Sequence, residues 1–136
     1  MALTKVTAAV LEPTAVTDNI SSGSISSDKI ANDAISYAKL ATEFTTAAAL
    51  SASDVDFSTA QVFTKTLTAN DTLTFSNVST GMVKDLVITG NFTLTLPSSV
   101  KVISGTYDGT VSNLIQIVAT NGATEQWASI SQEAVW

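Results

Sequence analysis

The sequence predicts a mainly β protein: a short extended or helical N-terminal stalk, followed by a small antiparallel β-sandwich or jelly-roll-like domain, assembled as a homotrimer. Residues 59–133 alternate apolar and hydroxyl side chains, which is the pattern of strands with one buried face. Turn residues interrupt this alternation at short intervals. Before it, large aliphatic residues recur at every fifth position from 20 to 40. The change of pattern places a domain boundary near residue 58.

The composition excludes several classes of function. Hydrophobic residues make up 45% of the 136 residues and charged residues only 13%, whereas a disordered chain needs the opposite balance. Ser and Thr together supply 38 residues, so the surface is expected to be neutral and rich in hydroxyls. The chain has no Arg, His or Cys, which removes thiol and imidazole catalysis and the usual zinc ligands. We therefore expect no enzyme, no cofactor and no metal site.

Charge and hydropathy also limit the partners. A net charge of −6 disfavours binding to a nucleic-acid backbone. No apolar run approaches the roughly 20 residues that a membrane span needs. The first residues also lack the basic start and apolar stretch of a secretory signal. We expect neither a nucleic-acid nor a membrane partner.

The C-terminal part divides into seven predicted strands. Their alternation and bounding turn residues place them at 62–67, 72–75, 83–89, 92–96, 100–107, 113–119 and 126–131. Gly90-Asn91 lies between two of them and predicts a tight hairpin, because Gly accepts the positive φ that such a turn requires. Further turns are expected at 70–71, 108–109 and 121–122. About seven evenly spaced strands are typical of a sandwich or jelly roll.

The N-terminal part contains a ten-residue repeat, in which residues 25–33 match residues 35–43. Its large aliphatic residues are Ile20, Ile25, Ile30, Ile35 and Leu40. A spacing of five fits neither one face of a helix nor one face of a strand. Three parallel chains wound about a common axis would bury such a row as successive apolar layers, which favours a homotrimer. An amphipathic helix over 28–42 is an equally good local interpretation, and such a lone helix would still need a partner.

A few other residues are candidates for chemistry or contact. Asp54 and Asp56 are the closest pair of carboxylates, but the rest of a calcium loop is absent, so we interpret them as part of a solvated connector over 47–56. Trp127 lies in an alternating run, so we expect it in the core rather than stacked on a sugar. Val135 and Trp136 form an apolar chain end, which we expect to pack on a neighbouring subunit or another protein.

Two stretches resemble virion structural proteins of tailed bacteriophages. Residues 30–41, Ile-Ala-Asn-Asp-Ala-Ile-Ser-Tyr-Ala-Lys-Leu-Ala, are similar to the Ile-Ala-x-x-Ala-Ile/Val-x-x-x-Lys-Leu-Ala repeats of phage fibre stalks. The Thr-rich stretch that starts at residue 66 and continues to Pro97 is similar to β domains of such fibres. The likeness is to short head-fibre, capsid decoration and tail-fibre-like proteins of marine and cyanobacterial phages. It implies a homotrimer that is made in the host cytoplasm and works on the extracellular virion.

The short chain favours a capsid decoration protein, of the cement or head-fibre kind, within this resemblance. Residues 1–24 would attach to the major capsid protein or another virion protein, 25–57 would form the stalk and connector, and 58–136 the projecting β domain. The apolar strip for attachment is Leu3, Val6, Val10, Leu11 and Val16. The alternative is a short tail-fibre or receptor-binding module, in which the turns at 70–71, 108–109 and 121–122 bind a host surface glycan.

Overall fold

Strand pairing in this protein is mostly parallel. The structure, a computed structural model, describes residues 30, 32 and 34–134. The chain forms two compact units, Met1–Ser36 and Tyr37–Trp136, and the described strands all belong to the second. The prediction of a mainly β protein is confirmed. The prediction of an antiparallel sandwich is wrong for the described residues, because five of their seven strand pairings are parallel. Alternating side chains reveal a buried face but not the direction of the neighbouring strand.

The described elements are short, apart from the last strands. In chain order they are a 3-10 helix Tyr37–Lys39, helix α1 Thr42–Thr45, β1 Ala48–Ala49, β2 Asp54–Asp56, β3 Val62–Thr66, β4 Asp71–Thr72, β5 Thr74–Ser76, β6 Val83–Thr89, β7 Leu94–Thr95, β8 Val100–Ser104, β9 Asn113–Asn121 and β10 Glu125–Gln132. A helix over 28–42 is not formed in the described part, where residues 34–36 are not helical. None of the described helices has the length and apolar character needed to cross a membrane.

The parallel strands are successive turns of one coil. β3, β4 and β5 lie in three different sheets, and β6 and β7 return to the first two of these sheets in the same order. Val62 pairs with Asp85 and Asp71 pairs with Leu94, so one turn of the coil advances the chain by 23 residues. The antiparallel hairpin β9–β10 then inserts between β6 and β8. The large sheet therefore has the order β1-β3-β6-β9-β10-β8.

Gly90 forms a corner of this coil rather than the predicted hairpin. β6 and β7, which flank it, belong to different sheets and do not pair with each other. The Gly90 φ is +110°, and a Cβ added there would lie 2.4 Å from the Leu67 carbonyl oxygen of the preceding turn. Only Gly permits both this φ and this close approach of backbones. The glycine was therefore a correct signal of a turn, but the turn joins two sheets.

The core lies inside the coil. The inward positions of β6 and β9 carry Leu86, Ile88, Ile115 and Ile117, all without exposed surface. Residues 47–56, predicted as a connector, contribute β1 and β2, and Val55 and Phe57 are also fully buried. The Phe57 ring packs at 5.1 Å from that of Phe75 on β5. The β unit thus begins before residue 58, because these first strands supply part of its core.

A buried lysine joins α1 to the large sheet. Lys84 is only 2% exposed, and its Nζ donates to Gln61 Oε1 at 2.7 Å and contacts Glu43 Oε1 at 3.2 Å. The Gln61 backbone N–H donates to the Glu43 carbonyl at 2.9 Å. A buried charge is tolerated only when it is paired and hydrogen-bonded, and these contacts meet that requirement. They fix α1 against the sheet, although no residue of α1 is itself buried.

Candidate functional site

The outer face of the six-stranded sheet carries an exposed row of side chains. Strand register places Lys101, Trp127, Val118 and Val83 side by side on β8, β10, β9 and β6. We call these four residues the Trp127 row. Its three apolar members are 37–43% exposed. Neighbouring strands lie about 4.8 Å apart, so the row extends roughly 14 Å across the sheet.

Trp127 is on the surface, and its prediction as a core residue is wrong. It is 43% exposed, whereas its neighbours Gln126 and Ala128 point inward and are buried. The Gln126 amide tolerates burial because Ser99 Oγ donates to its Oε1 at 2.7 Å and its Nε2 donates to the Gly122 carbonyl. Successive side chains of a strand face opposite sides, so an inward Gln126 sets Trp127 outward.

Glu125 fixes the edge of the indole ring. Trp127 Nε1 donates to Glu125 Oε1 at 3.0 Å, and Thr120 Oγ1 donates to the same oxygen at 3.1 Å. Lys101 Nζ pairs with the other oxygen, Oε2. The Lys101 contact, with the hydrogen bonds from Trp127 and Thr120, lowers the pKa of Glu125 below its ordinary value of 4.5. The carboxylate is therefore ionised at neutral pH, and it holds both the ring and the lysine.

A polar row lies beside the Trp127 row. Register places Ser129, Gln116 and Asp85 next to one another, two residues further along their strands. Gln116 Nε2 donates to Asp85 Oδ1 at 3.2 Å. The polar row therefore lies about 7 Å from the Trp127 row, which is the length of two residues of a strand. The sheet thus presents a largely apolar row that is bordered by groups able to bind hydroxyls.

An apolar groove lies beside the edge strand β8. It has a volume of about 480 Å³ and is lined mainly by Leu94, Leu96, Val102, Tyr107 and Ile130. Tyr107 Oη donates to the Gly90 carbonyl at 2.7 Å, and burial raises the pKa of the phenol above its ordinary value of 10.0. The sequence did not predict this groove, because its walls come from strands whose parallel arrangement was not foreseen.

Of the turns predicted to bind glycan, those at 70–71 and 108–109 use their carboxylates internally. Asp71 Oδ1 accepts from Ser53 Oγ, and its Oδ2 lies 3.0 Å from Lys65 Nζ. The hydrogen bond from Ser53 and the contact with Lys65 lower the pKa of Asp71. Asp108 Oδ1 accepts two hydrogen bonds from Thr110, which lower the pKa of Asp108. These contacts shape the turns themselves.

The same turns are not brought together. Asp108-Gly109 precedes β9, whereas Asn121-Gly122 lies at the other end of that strand. The strand has nine residues, which span roughly 27 Å. The two turns therefore cannot grip one small ligand.

The carboxylates of Asp54 and Asp56 are partners within the β2–β5 pair. Asp54 accepts from Thr74 Oγ1 at 2.9 Å and from Ser76 Oγ at 2.6 Å. Asp56 accepts from Asn77 Nδ2 at 2.8 Å, and this hydrogen bond is the main reason that the pKa of Asp56 is lowered. Within the described residues, no group of three or more potential ligands among His, Cys, Asp and Glu is placed to hold a metal ion.

The predicted attachment, stalk and contact residues are described only in part. Outside the described residues lie Leu3, Val6, Val10, Leu11, Val16, Ile20, Ile25, Val135 and Trp136. Ile30, Ile35 and Leu40 are described, and they are 44%, 60% and 42% exposed. The last three members of the five-residue row are thus all open to solvent in the single chain.

Searches against family models, curated proteins and solved structures give no match to this chain.

Proposed function

We propose that the chain is a non-enzymatic structural protein that assembles as a homotrimer through its stalk row, the name used here for Ile20, Ile25, Ile30, Ile35 and Leu40. In this proposal it is a capsid decoration protein, of the cement or head-fibre kind, on the virion of a tailed bacteriophage. The observation that carries the trimer is the exposure of Ile30, Ile35 and Leu40, which repeat every five residues. The resemblance of residues 30–41 to phage fibre stalks supports the virion role.

Burial of the stalk row would favour the association of three chains. Burying the exposed part of one of the three described members, Ile30, Ile35 or Leu40, contributes about 1 kcal/mol, so these residues in three chains contribute roughly 9 kcal/mol. Each of the two association steps that form a trimer costs an estimated 4–15 kcal/mol in lost freedom of movement. The gain is comparable with the lower end of the total cost, so assembly requires most of the row rather than one residue.

Attachment to the capsid is assigned to residues 1–24. Their apolar strip of Leu3, Val6, Val10, Leu11 and Val16 would bury its side chains on the major capsid protein, with strand addition to an exposed sheet edge. Three copies in a trimer would act together, so that modest individual contacts give durable binding. This step is supported by the sequence alone.

The mass of the full chain in solution tests the trimer. Light scattering is expected to give three times the 14.1 kDa of one chain. The double variant I35S/L40S is expected to shift this mass towards that of one chain. The matched control is I103S, which changes an isoleucine that is 62% exposed on β8 and is expected to leave the mass unchanged. A wild-type chain that stays monomeric at high concentration would refute the trimer.

Co-sedimentation tests the attachment step. The variant L3S/V6S/V10S is expected to keep the trimeric mass but to lose co-sedimentation with the capsids that the protein is proposed to decorate. If this variant binds capsids as well as the wild type does, residues 1–24 are not the attachment segment.

A further inference from the structure

We propose that the Trp127 row and the polar row beside it form a binding site for a neutral saccharide. This goes beyond the trimer and capsid attachment proposed above, and it does not depend on either. It also differs from the glycan site predicted at the turns, since it lies on the open face of the sheet.

The indole ring of Trp127 is held ready for stacking. Its N–H already donates to Glu125 Oε1, so what the ring offers to a ligand is its apolar face. β10 pairs with β9 on one side and with β8 on the other, so the ring stands on an interior strand. Aromatic rings supply a large apolar contact with a defined orientation. The C–H face of a pyranose ring needs such a flat apolar partner, and little side-chain freedom remains to be lost on binding.

The neighbouring polar groups match sugar hydroxyls. Gln116 donates one amide hydrogen to Asp85 and retains, by its chemistry, a second hydrogen and an acceptor oxygen. Ser129 stands next to it with a hydroxyl. Lys101 is the direct register partner of Trp127, and its ammonium has three hydrogens. Register places these residues about 5–8 Å from Trp127, either directly opposite it, two residues along its strand or diagonally across, so a ligand stacked on the ring lies close to them.

Charge selects a neutral ligand. The two rows carry the carboxylate of Asp85 and the ammonium of Lys101, and Glu125 beside them is ionised, so the local charge is negative. The whole chain has a net charge of −6, which repels phosphate and anionic sugars. A second copy of the protein on this face would bury all three charges, whereas the centres of protein interfaces are depleted of charged residues. A hydroxyl-rich ligand without charge avoids both penalties.

Tryptophan emission provides a direct test on the full chain. The sequence contains two Trp residues, so the variant W136F leaves Trp127 as the single indole. This protein is titrated with maltohexaose, cellohexaose and mannohexaose, and with sialyllactose as the anionic comparison. We expect a saturable change in emission with at least one neutral oligosaccharide and none with sialyllactose.

Substitutions in the otherwise unchanged chain, followed by calorimetry, locate the site. W127A is expected to weaken binding by about tenfold or more, and Q116A by less. W127L removes the aromatic ring but keeps apolar bulk, so it takes the place of W127A if that variant does not fold, with the same expected loss. The matched control is F92A, which removes an aromatic ring that is 44% exposed outside the two rows, and we expect its affinity to be unchanged.

Three results would overturn this site. One is the lack of a saturable signal with every neutral probe up to about 10 mM, a range that detects even millimolar affinity. Another is binding that survives W127A, or W127L where W127A does not fold. The third is a fall in solution mass on W127A, which would make the row a contact between subunits. A monomeric wild-type chain that still binds saccharide would refute the trimer alone.

Discussion

Replacing Lys84 with Met tests whether its contacts hold the start of the β unit in place. The side chain is 2% exposed, and it contacts both Gln61, which directly precedes β3, and Glu43 in α1. Met keeps most of the apolar stem and removes only the ammonium group. The substitution therefore isolates the polar contacts from the packing of the stem.

The expected loss follows from what each partner retains. A hydrogen bond to a charged group contributes about 1.5–3 kcal/mol, and a buried acceptor left without a donor costs about 1–3 kcal/mol. Glu43 is 27% exposed and regains water, so the penalty falls mainly on Gln61. We expect K84M to lower the free energy of unfolding by about 2–3 kcal/mol. E43Q, which leaves the buried ammonium without its carboxylate, is expected to cost a similar amount.

Urea denaturation followed by circular dichroism measures these losses. The double variant K84M/E43Q is expected to lose less than the two single variants together, with a coupling of about 1–2 kcal/mol, because each removes the same ion pair. K101M is the matched control, since Lys101 is 60% exposed in its ion pair, and it should cost much less. A free energy of unfolding for K84M within about 0.5 kcal/mol of the wild-type value would refute the reasoning. A loss in the double variant equal to the sum of the two single losses would refute it as well.

Two further predictions concern the acid side of the stability curve and a corner of the coil. The Ser53 hydrogen bond helps to hold the pKa of Asp71 below its ordinary 3.8. The ionised carboxylate therefore contributes fully to the free energy of unfolding above pH 3.8, and this contribution is lost as the pH falls through the folded-state pKa. D71N should therefore lower the melting temperature at pH 7. It should also make the melting temperature fall less steeply between about pH 5 and pH 2 than in the wild type. An equally steep fall in D71N would show that Asp71 does not cause this pH dependence. G90A should cost at least about 1–3 kcal/mol in urea denaturation, because its Cβ would meet the Leu67 carbonyl oxygen at 2.4 Å. Gly81 also has a positive φ, but a Cβ added there would meet nothing within 4 Å, so the difference between the losses of G90A and G81A gives the steric part, and equal losses would contradict the close-approach argument.

The existence of the strands could be predicted from the sequence, because alternation is a local signal. β6, β9 and β10 were all expected within two residues of their observed bounds. Their partners could not be predicted in the same way. A strand with one buried face shows the same alternation whether its neighbour is parallel or antiparallel. The 23-residue step from Val62 to Asp85 joins segments without recognisable similarity, so the coil left no repeat to find.

The position of Trp127 shows a second limit. The sequence does not show which alternate residues of β10 face the core, since both faces of this strand mix polar and apolar residues. Gln126 faces inward because Ser99 and Gly122 satisfy the hydrogen bonds of its amide inside the protein. Ser99 is 27 residues away along the chain, so no local pattern could reveal that contact. The exposed indole was consequently mistaken for a core residue.

The hairpin β9–β10 links the end of the coil to the proposed saccharide site. A parallel coil that stopped at β6 would leave that strand as an edge, with unpaired backbone groups and freedom to distort. The hairpin covers β6 and receives β8 on its other side, so both of its strands become interior strands of the sheet. Trp127 needs this position, because an indole on a free edge would not keep a fixed plane beside Gln116 and Lys101. The element that closes the coil therefore also provides the surface on which the proposed saccharide binding depends.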